Sequence, residues 1–227
     1  MQTLADAALG DQLEAAERIP APFPLWLIET GHQPRPALLR CLSPAEHERA
    51  ERFAHAALRH RYQAAHCALR LLVEKTTGIP AAAQTYLPGE HGKPVLANAP
   101  GIHCSLSYSG DFALVGVDGA REIGVDLEVV QPVADAAGLA SMYYTRREIA
   151  QLAGISPEEA EPAFLTVWVR KEACSKALGK GLTIAPASYE CGVGCGIRSV
   201  LIEQEVVDSE VLNPKGGLLA SWARRGR

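Results

Sequence analysis

The sequence contains no apolar run that approaches the ~20 residues needed to cross a bilayer, so no membrane-spanning helix is predicted. Residues 1–20 lack the basic start and the apolar block of a secretory signal peptide. The formal net charge is only -4, which gives no general attraction to nucleic acid. These absences favour a cytoplasmic protein whose partners are neither membranes nor nucleic acids.

Closely spaced cysteines are also missing, because the six cysteines are scattered and form no C-x-x-C motif. Without a secretory signal, reduced thiols in the cytoplasm are expected in preference to a disulfide framework. Cys191 and Cys195 alone form a poor zinc site, since no second pair of ligands has suitable spacing.

Several common catalytic signatures are absent. The glycine-rich stretch at 191–196 is not followed by the helix pattern that a dinucleotide fingerprint requires, and LGKGLT at 178–183 lacks the spacing of a P-loop. A nucleophile elbow, a zincin helix and an EF-hand loop are not found. Ser105, Ser107 and Ser109 have no suitable histidine in the local sequence, which disfavours a serine hydrolase.

Helix signals are clear in the first part of the chain. Ser43, Pro44 and Glu46 have the spacing of a capping box with proline in the first turn, which predicts the start of a helix. A longer helix follows and is expected to end at Gly78. Its apolar residues recur at helical spacing: Tyr62, Ala65, Leu69, Leu72 and Val73.

Strand signals flank these helices. Strands are predicted at 23–30, on both sides of a polar turn at 109–111, and at 121–130. The tail favours two further strands, at 197–207 and 216–225.

Helix and strand blocks occur twice along the 227 residues, because helices are again predicted at 145–154 and 162–181. Residues 1–20 are expected to form an amphipathic or loosely ordered lead-in. The hydrophobic content of 48% can support a packed core. The pattern predicts an α+β fold built from two similar α/β halves, 1–119 and 120–227.

Two acids lie two residues apart in the apolar run GVDLEVV: Asp126 and Glu128. In a strand they project from the same face. A strand with one solvated face explains them. The alternative is a hard cation such as Mg²⁺, which prefers carboxylate oxygens.

The predicted helix at 162–181 carries Trp168, Glu172 and Lys176 at spacings of four, so the three share one stripe. The pattern fits an ordinary surface ion pair beside a core tryptophan. It also fits a third carboxylate and a lysine of a metal and phosphate site.

Two further patterns leave alternatives open. Thr145 and Glu148 have capping-box spacing, and Glu148 could act as a general base only if the fold brought it to the metal. Basic residues cluster at 49–61, which fits a solvated helix face or a phosphate-binding surface. The Gly-Lys turn at 92–93 is a weak phosphate signal.

Five fragments occur in a fixed order between residues 90 and 182: GKP, SLSYSGD, GVDLE, YYTRRE and WVRKEACSKALGKGL. In this order they resemble the Sfp-type 4′-phosphopantetheinyl transferases. The resemblance implies a monomer with two halves in a pseudo-twofold arrangement. It also implies Mg²⁺-dependent transfer of the 4′-phosphopantetheine arm of coenzyme A to a serine of an apo acyl or peptidyl carrier protein, with release of adenosine 3′,5′-bisphosphate.

The resemblance assigns roles to individual residues. Asp126, Glu128 and Glu172 would bind Mg²⁺, while Lys176 would supply positive charge and Glu148 the general base. Glu172 and Lys176 would thus act in catalysis as well. Lys171, rotated roughly 100° from Glu172 on a helix, is expected to serve structure.

Coenzyme A binding is implied for the half 1–119, and the metal site and carrier docking for the half 120–227. The docking segment would be 142–164. The residues implied to contact coenzyme A are Arg49, Arg52, Lys93, Pro94, Ser107, Tyr108, Asp126 and Lys176.

The sequence departs from the family pattern at three positions. Tyr108 replaces a usual histidine, Ser105 a usual asparagine, and Glu46 a second lysine of some relatives. A tyrosine hydroxyl donates a hydrogen bond but brings no charge, so weaker or less pH-sensitive contact with the 3′-phosphate of coenzyme A is expected.

Two other functions remain as alternatives. One is a non-catalytic module of the same fold that binds coenzyme A or a carrier protein, which the intact set of acids and Lys176 disfavours. The other is an unrelated Mg²⁺-dependent phosphatase or nucleotidyl transferase, which the ordered motifs disfavour.

Overall fold

The computed structural model describes residues 16–89 and 93–226, which divide into two units. The first unit holds residues 16–89 and 94–120, and the second holds Lys93 and residues 121–226. Most of the predicted lead-in, residues 1–15, and the turn residues 90–92 lie outside the described residues. Both units mix helices with an antiparallel sheet, which confirms the predicted α+β class.

A six-stranded antiparallel sheet forms the first unit, in the order β1-β2-β6-β5-β4-β3. Its strands are β1 (Ala16–Arg18), β2 (Leu25–Glu29), β3 (Tyr86–Pro88), β4 (Pro94–Leu96), β5 (His103–Ser109) and β6 (Phe112–Asp118). The hairpin β5–β6 confirms the predicted polar turn, whereas β1 and β3 were not predicted. β1 is too short, at three residues, to carry a period-2 signal.

Three helices accompany this sheet: α1 (Pro36–Leu39), α2 (Pro44–Glu51) and α3 (Ala56–Thr77). The capping box of α2 is confirmed, since Glu46 N donates to Ser43 Oγ and Ser43 N donates to Glu46 Oε2. Gly78 ends α3 with φ 74°, as predicted. Buried apolar residues of α3, among them Leu69 and Leu72, pack with residues of β2, β5 and β6 into one core.

A four-stranded antiparallel sheet forms the second unit, in the order β7-β10-β9-β8. Its strands are β7 (Ile123–Val129), β8 (Gly196–Ile202), β9 (Glu205–Leu212) and β10 (Leu218–Arg225). Of the two strands predicted in the tail, the second is confirmed as β10, whereas the first was wrong, because the run 197–207 folds back on itself. Glu203 adopts φ 56° there, and Ile202 pairs with Glu205 across a two-residue turn.

The helices of the second unit are α4 (Ala136–Tyr143), α5 (Arg146–Ala153) and α6 (Pro157–Leu178). The capping box of Thr145 and Glu148 is confirmed at the start of α5. Among the described residues, no helix combines the length and the apolar character that crossing a membrane would require.

Helix α6 lies very close to strand β7. A Cβ atom on Gly124 would lie 2.0 Å from the carbonyl oxygen of Ala173 and 2.4 Å from the nitrogen of Ala177. Only glycine therefore permits this approach. Ala173 and Ala177 are fully buried at the contact.

The glycine-rich stretch 191–196 wraps around the buried Arg170 of α6. The Arg170 guanidinium donates to the carbonyl oxygens of Cys191, Gly194 and Gly196 at 2.8–2.9 Å. The carbonyl groups of this stretch therefore hold a buried guanidinium in place.

Candidate functional site

A cavity of about 310 Å³ lies in the second unit, where β7 faces α6. Three carboxylates form part of its wall, and aromatic rings with a proline form another part. Its lining residues are Asp126, Glu128, Tyr143, Trp168, Lys171, Glu172 and Pro186. The structure thus brings the three acids singled out in the sequence to one cavity.

Strand alternation and helix periodicity explain this convergence. Asp126 and Glu128 project from the same face of β7 as Gly124, while Val125 and Leu127 project from the other and are fully buried. Because Gly124 has no side chain, α6 can pack directly against this face of β7. The stripe of α6 formed by Trp168, Glu172 and Lys176 therefore lies beside the two acids.

The charges at the cavity are only partly balanced. Lys176 Nζ lies 2.6 Å from Asp126 Oδ1, and the Asp126 side chain is 6% exposed. Burial raises the pKa of Glu172, and the charges of Asp126 and Glu128 raise it further, against the opposing charge of Lys176. The site therefore has a surplus of negative charge.

The donor set suits a hard divalent cation. Among residues 16–89 and 93–226, no three His, Cys, Asp or Glu side chains are already gathered into a cluster that could hold a metal ion. Carboxylate oxygens are nevertheless the ligands that Mg²⁺ prefers, and a cation would relieve the repulsion that raises the pKa of Glu172. Asp126, Glu128 and Glu172 are the residues that could hold it.

Glu148 lies elsewhere, and in this conformation its carboxylate is fully engaged, so the role of general base that the resemblance implies stays a prediction. Its side chain is 0% exposed. Oε2 accepts from the backbone N–H of Thr145 at 2.8 Å and pairs with Lys171 Nζ at 3.0 Å. Oε1 accepts from the backbone N–H groups of Cys191 and Gly192 at 2.6 and 3.1 Å. These four contacts occupy the carboxylate and anchor the start of α5.

Lys171 fixes the segment that follows α6. Its ammonium donates to the carbonyl oxygens of Pro186 and Tyr189 at 2.7 and 2.6 Å, and it lies 4.7 Å from the centroid of the Tyr189 ring. Because Pro186 lines the cavity, the Glu148–Lys171 pair sets the position of that wall. The structural role expected for Lys171 is confirmed.

Lys93 belongs to the second unit, although the sequence places it in the half 1–119. Its ammonium donates to the carbonyl oxygens of Ile123 and Lys176, each at 3.0 Å, and pairs with Glu122. All three donors are engaged, so in this conformation the phosphate contact implied for Lys93 would require the ammonium to change partners.

Another group of predicted residues gathers in the first unit. The Arg49 guanidinium lies 5.5 Å from the centroid of the Tyr62 ring, and that of Arg61 lies 5.6 Å from the Tyr108 ring. Burial raises the pKa of Tyr108 and Tyr62 adds to this, while the charges of Arg49 and Arg61 oppose it. Arg49, Arg61, Tyr62 and Tyr108 therefore form one cluster, named here the arginine–tyrosine cluster.

Arg61 is a cluster member that sequence reasoning did not select individually. The only signal was its membership of the basic run at 49–61. Arg52, which was selected, is exposed at the end of α2 and pairs with Glu48 at 2.7 Å. The Arg61 guanidinium thus lies beside the Tyr108 ring, whereas that of Arg52 pairs with Glu48.

The remaining coenzyme A candidates occupy β4 and β5. Pro94 starts β4. Ser107 and Tyr108 are neighbours in β5, so their side chains point to opposite sheet faces. Tyr108 packs on the face that meets α3, and Ser107 is buried on the other. The structure therefore does not present these two side chains on one surface.

Glu46 does not disturb the arginine–tyrosine cluster with an uncompensated charge. Its carboxylate pairs with Arg70 at 2.6 Å and with His66 at 3.1 Å. The effect expected from a glutamate at this position is thus reduced by two basic partners.

Comparison with known proteins points to one superfamily. The family model described as 4′-phosphopantetheinyl transferase superfamily matches residues 122–196. That range contains the three acids of the cavity and Lys176.

Curated relatives extend the match. The chain is 32% identical over 148 residues to the 4′-phosphopantetheinyl transferase HetI of Nostoc sp., which covers 64% of this chain and 62% of that protein. It is 30% identical over 163 residues to a protein of Synechocystis sp., covering 70% and 65%. It is 26% identical over 148 residues to the 4′-phosphopantetheinyl transferase Sfp of Bacillus subtilis, covering 65% of each. The chain thus spans just under two thirds of the length of these relatives.

Proposed function

We propose, from the premise that this chain belongs to the 4′-phosphopantetheinyl transferase superfamily, that it transfers the 4′-phosphopantetheine arm of coenzyme A to a serine of an apo acyl or peptidyl carrier protein. The observation that carries the proposal is the convergence of Asp126, Glu128 and Glu172 on one cavity beside Lys176. The working form is proposed to be a cytoplasmic monomer.

The reaction forms a bond between the serine oxygen and the β-phosphorus of coenzyme A. It breaks the bond from that phosphorus to the bridging oxygen, so adenosine 3′,5′-bisphosphate leaves and the serine proton is released. Such a transfer depends mainly on positioning and on neutralisation of negative charge. Mg²⁺, held by Asp126, Glu128 and Glu172, would supply that neutralisation when bound.

Lys176 supports the same chemistry. Its side chain is partly exposed and its ammonium already lies at the acids, so a pyrophosphate that enters the site would meet a positive charge. In this structure the same ammonium pairs with Asp126 Oδ1 at 2.6 Å.

We propose Glu172 as the acceptor of the serine proton. Its carboxylate lines the cavity, whereas that of Glu148 is fully buried and engaged by four partners.

Coenzyme A binding is assigned to the first unit through the arginine–tyrosine cluster. Two guanidinium groups and a phenol can donate hydrogen bonds to a phosphate monoester such as the 3′-phosphate. Arg61 therefore joins Arg49 and Tyr108 as a proposed ligand, and Arg52 becomes the weaker candidate.

Intact-protein mass spectrometry tests the proposal. An apo carrier protein is incubated with this protein, coenzyme A and MgCl₂, and a mass gain of one phosphopantetheine is expected. EDTA should abolish the gain, and excess Mg²⁺ should restore it.

Negative outcomes separate the alternatives. No gain on several acyl and peptidyl carriers, with coenzyme A binding retained in titration calorimetry, would overturn catalysis in favour of a non-catalytic binding module. Loss of both transfer and binding would overturn both functions.

A further inference from the structure

The thiols of Cys41 and Cys67 hydrogen-bond to each other in the first unit. Both residues also meet the carbonyl oxygen of Leu38 at the end of α1. Cys67 Sγ lies 3.5 Å from that oxygen, and the backbone N–H of Cys41 donates to it at 3.0 Å. The Leu38 carbonyl oxygen thus joins the Cys67 sulfur to the backbone of Cys41 and places the two residues next to each other.

The two thiols differ in exposure and acidity. Cys41 is partly exposed, whereas Cys67 lies in α3 and is 0% exposed. The hydrogen bond from Cys67 lowers the pKa of the Cys41 thiol; burial opposes this, and the nearby charge of Arg70 favours it. The same hydrogen bond and burial raise the pKa of Cys67. An accessible thiol with lowered pKa is the one that an oxidant attacks first.

We propose that Cys41 and Cys67 are a site of reversible oxidation by peroxides and form a disulfide. The Cys41 thiolate attacks one peroxide oxygen, which yields a sulfenic acid on Cys41 and releases the first water. The Cys67 thiol then attacks the Cys41 sulfur, so the S–S bond forms and a second water leaves.

The electrons and atoms balance with hydrogen peroxide as the oxidant. Two thiols supply two electrons and two hydrogens, and one peroxide becomes two waters. A dithiol such as dithiothreitol reverses the step by reducing the disulfide. The site does not depend on the transfer activity proposed above, so either can fail alone.

The second unit contains a built-in control. The Cys174 thiol hydrogen-bonds to that of Cys191, but these residues are only 0% and 1% exposed. Contact between thiols is thus common to both pairs, and accessibility distinguishes them. Cys195 is exposed and reports the dose of oxidant that reaches the surface.

A peptide map tests the proposal. The protein is treated with hydrogen peroxide, denatured, alkylated and cleaved with trypsin without reductant. Trypsin should release Cys41 within residues 41–49 and Cys67 within residues 62–70. The expected product is these two peptides linked, two hydrogens lighter than their sum, and absent after dithiothreitol. Cys41→Ser and Cys67→Ser should each remove it.

Thermal unfolding provides a second readout. The disulfide would close the loop from residue 41 to residue 67 and restrict the unfolded chain, so Tm should rise by several degrees on oxidation. The Cys41→Ser variant should match the reduced wild type and show no rise.

Two results would overturn the proposal. One is complete modification of Cys195 by peroxide while the peptides 41–49 and 62–70 are both recovered alkylated. The other is a Cys174–Cys191 link that forms at the same dose as the Cys41–Cys67 link, because accessibility would then not govern oxidation.

Discussion

Both units build the same helix arrangement from different residues. In each, an eight-residue helix with a capping box, α2 or α5, precedes a 22-residue helix, α3 or α6. The capping glutamates, Glu46 and Glu148, each pair with a buried cation of the long helix, Arg70 and Lys171. Each cation lies fourteen residues after the first residue of its helix, from Ala56 to Arg70 and from Pro157 to Lys171.

The two cations also act alike on the chain that follows. Arg70 donates to the carbonyl oxygens of Ala81 and Gln84, just as Lys171 donates to those of two residues after α6. No exact repeat is visible in the sequence, yet the two units use one physical solution. The ion pair therefore belongs to the scaffold that the two units share.

The two units differ in the side chains that their long helices carry at equivalent positions. Leu71 follows Arg70, where Glu172 follows Lys171. Lys75, which is placed like Lys176, lies 5.6 Å from the ring centroid of Trp26 instead of facing an aspartate. The comparison teaches that both units share the helix frame, and that the acids of the candidate site lie on the frame of the second unit.

The largest expected effect is on activity. Glu172→Gln should lower the rate of carrier modification about 1,000-fold, because it removes a charged ligand and the assigned proton acceptor. Leu71→Gln, the matched change in the first unit, should leave the rate near that of the wild type. Carrier mass spectrometry measures both, and Mg²⁺ titration calorimetry of Glu172→Gln should show weakened binding. Normal transfer by Glu172→Gln would refute the cavity as the active site.

Next comes the buried ion pair. Glu148→Gln should reduce the free energy of unfolding by about 3–5 kcal/mol, because it leaves the Lys171 ammonium buried without a counter-charge. Glu46→Gln should cost less, since the Glu46 side chain is 12% exposed. Urea unfolding measures both. If Glu148→Gln kept its stability but lost transfer, the general-base assignment would return.

The close approach of α6 to β7 predicts that a side chain at Gly124 also lowers the stability of the protein. Gly124→Ala should destabilise the protein by about 3 kcal/mol, because its Cβ would collide with the helix backbone. Gly119→Ala is the control, since its Cβ would meet only Ile102 Cδ1 at 3.8 Å. Equal stability of the two variants in urea would show that α6 can move away freely.

Acid should remove the stabilising contribution of the Glu46 carboxylate in the first unit. Burial opposes ionisation of Glu46, but hydrogen bonds from His66, Arg70 and Ser43 outweigh it and lower the pKa from 4.5 to about 2. The native state thus binds this proton less tightly than the unfolded chain. The carboxylate stabilises the fold above pH 4.5, and that contribution is lost as the pH falls toward 2.

Urea unfolding at pH 5 and pH 3 checks this prediction. The wild type should lose about 2 kcal/mol more than Glu46→Gln over that interval. Parallel losses in the two proteins would mean that Glu46 does not titrate in this window.

The smallest expected losses of stability come from the glycines that end the two long helices, and they should be equal in the two units. Gly78 and Gly179 end the long helices with φ 74° and 66°, and a Cβ on either would meet nothing within 4 Å. Alanine at either position should therefore cost only the strain of a left-handed backbone, about 1 kcal/mol. A difference well above that in urea midpoints would show that the two helix ends are not equivalent.

Local spacing explains what the sequence could predict. The capping boxes, the acids of β7 and the stripe of α6 each depend on residues within about two turns, where periodicity is informative. The contacts of Glu148 do not depend on nearby residues, because Cys191 and Gly192 lie 43 and 44 residues away in the chain. The local motif around Glu148 therefore did not reveal that a distant backbone segment donates hydrogen bonds to its carboxylate.

The tail shows a second limit. The run 197–207 is rich in strand-forming residues and turns at Glu203 and Gln204, which lack the usual Gly, Asn or Asp of tight hairpins. The residue types at the turn therefore gave no sign that the run 197–207 belongs to two strands. Likewise, the basic run at 49–61 did not reveal which arginines would meet Tyr108, because that depends on how α3 lies against β5.

The ion pairs of the shared scaffold also bear on folding order. Glu46 and Arg70 are 24 residues apart in the chain, whereas β2 pairs Leu25 with Gly116 and β7 pairs Ile123 with Arg224. Closing a short loop loses less entropy, and local contacts form faster than distant ones. We expect each capped helix to pack against its long helix early in folding. In the second unit, Glu172 would then be oriented before β7 pairs with β10 and brings Asp126 to the site.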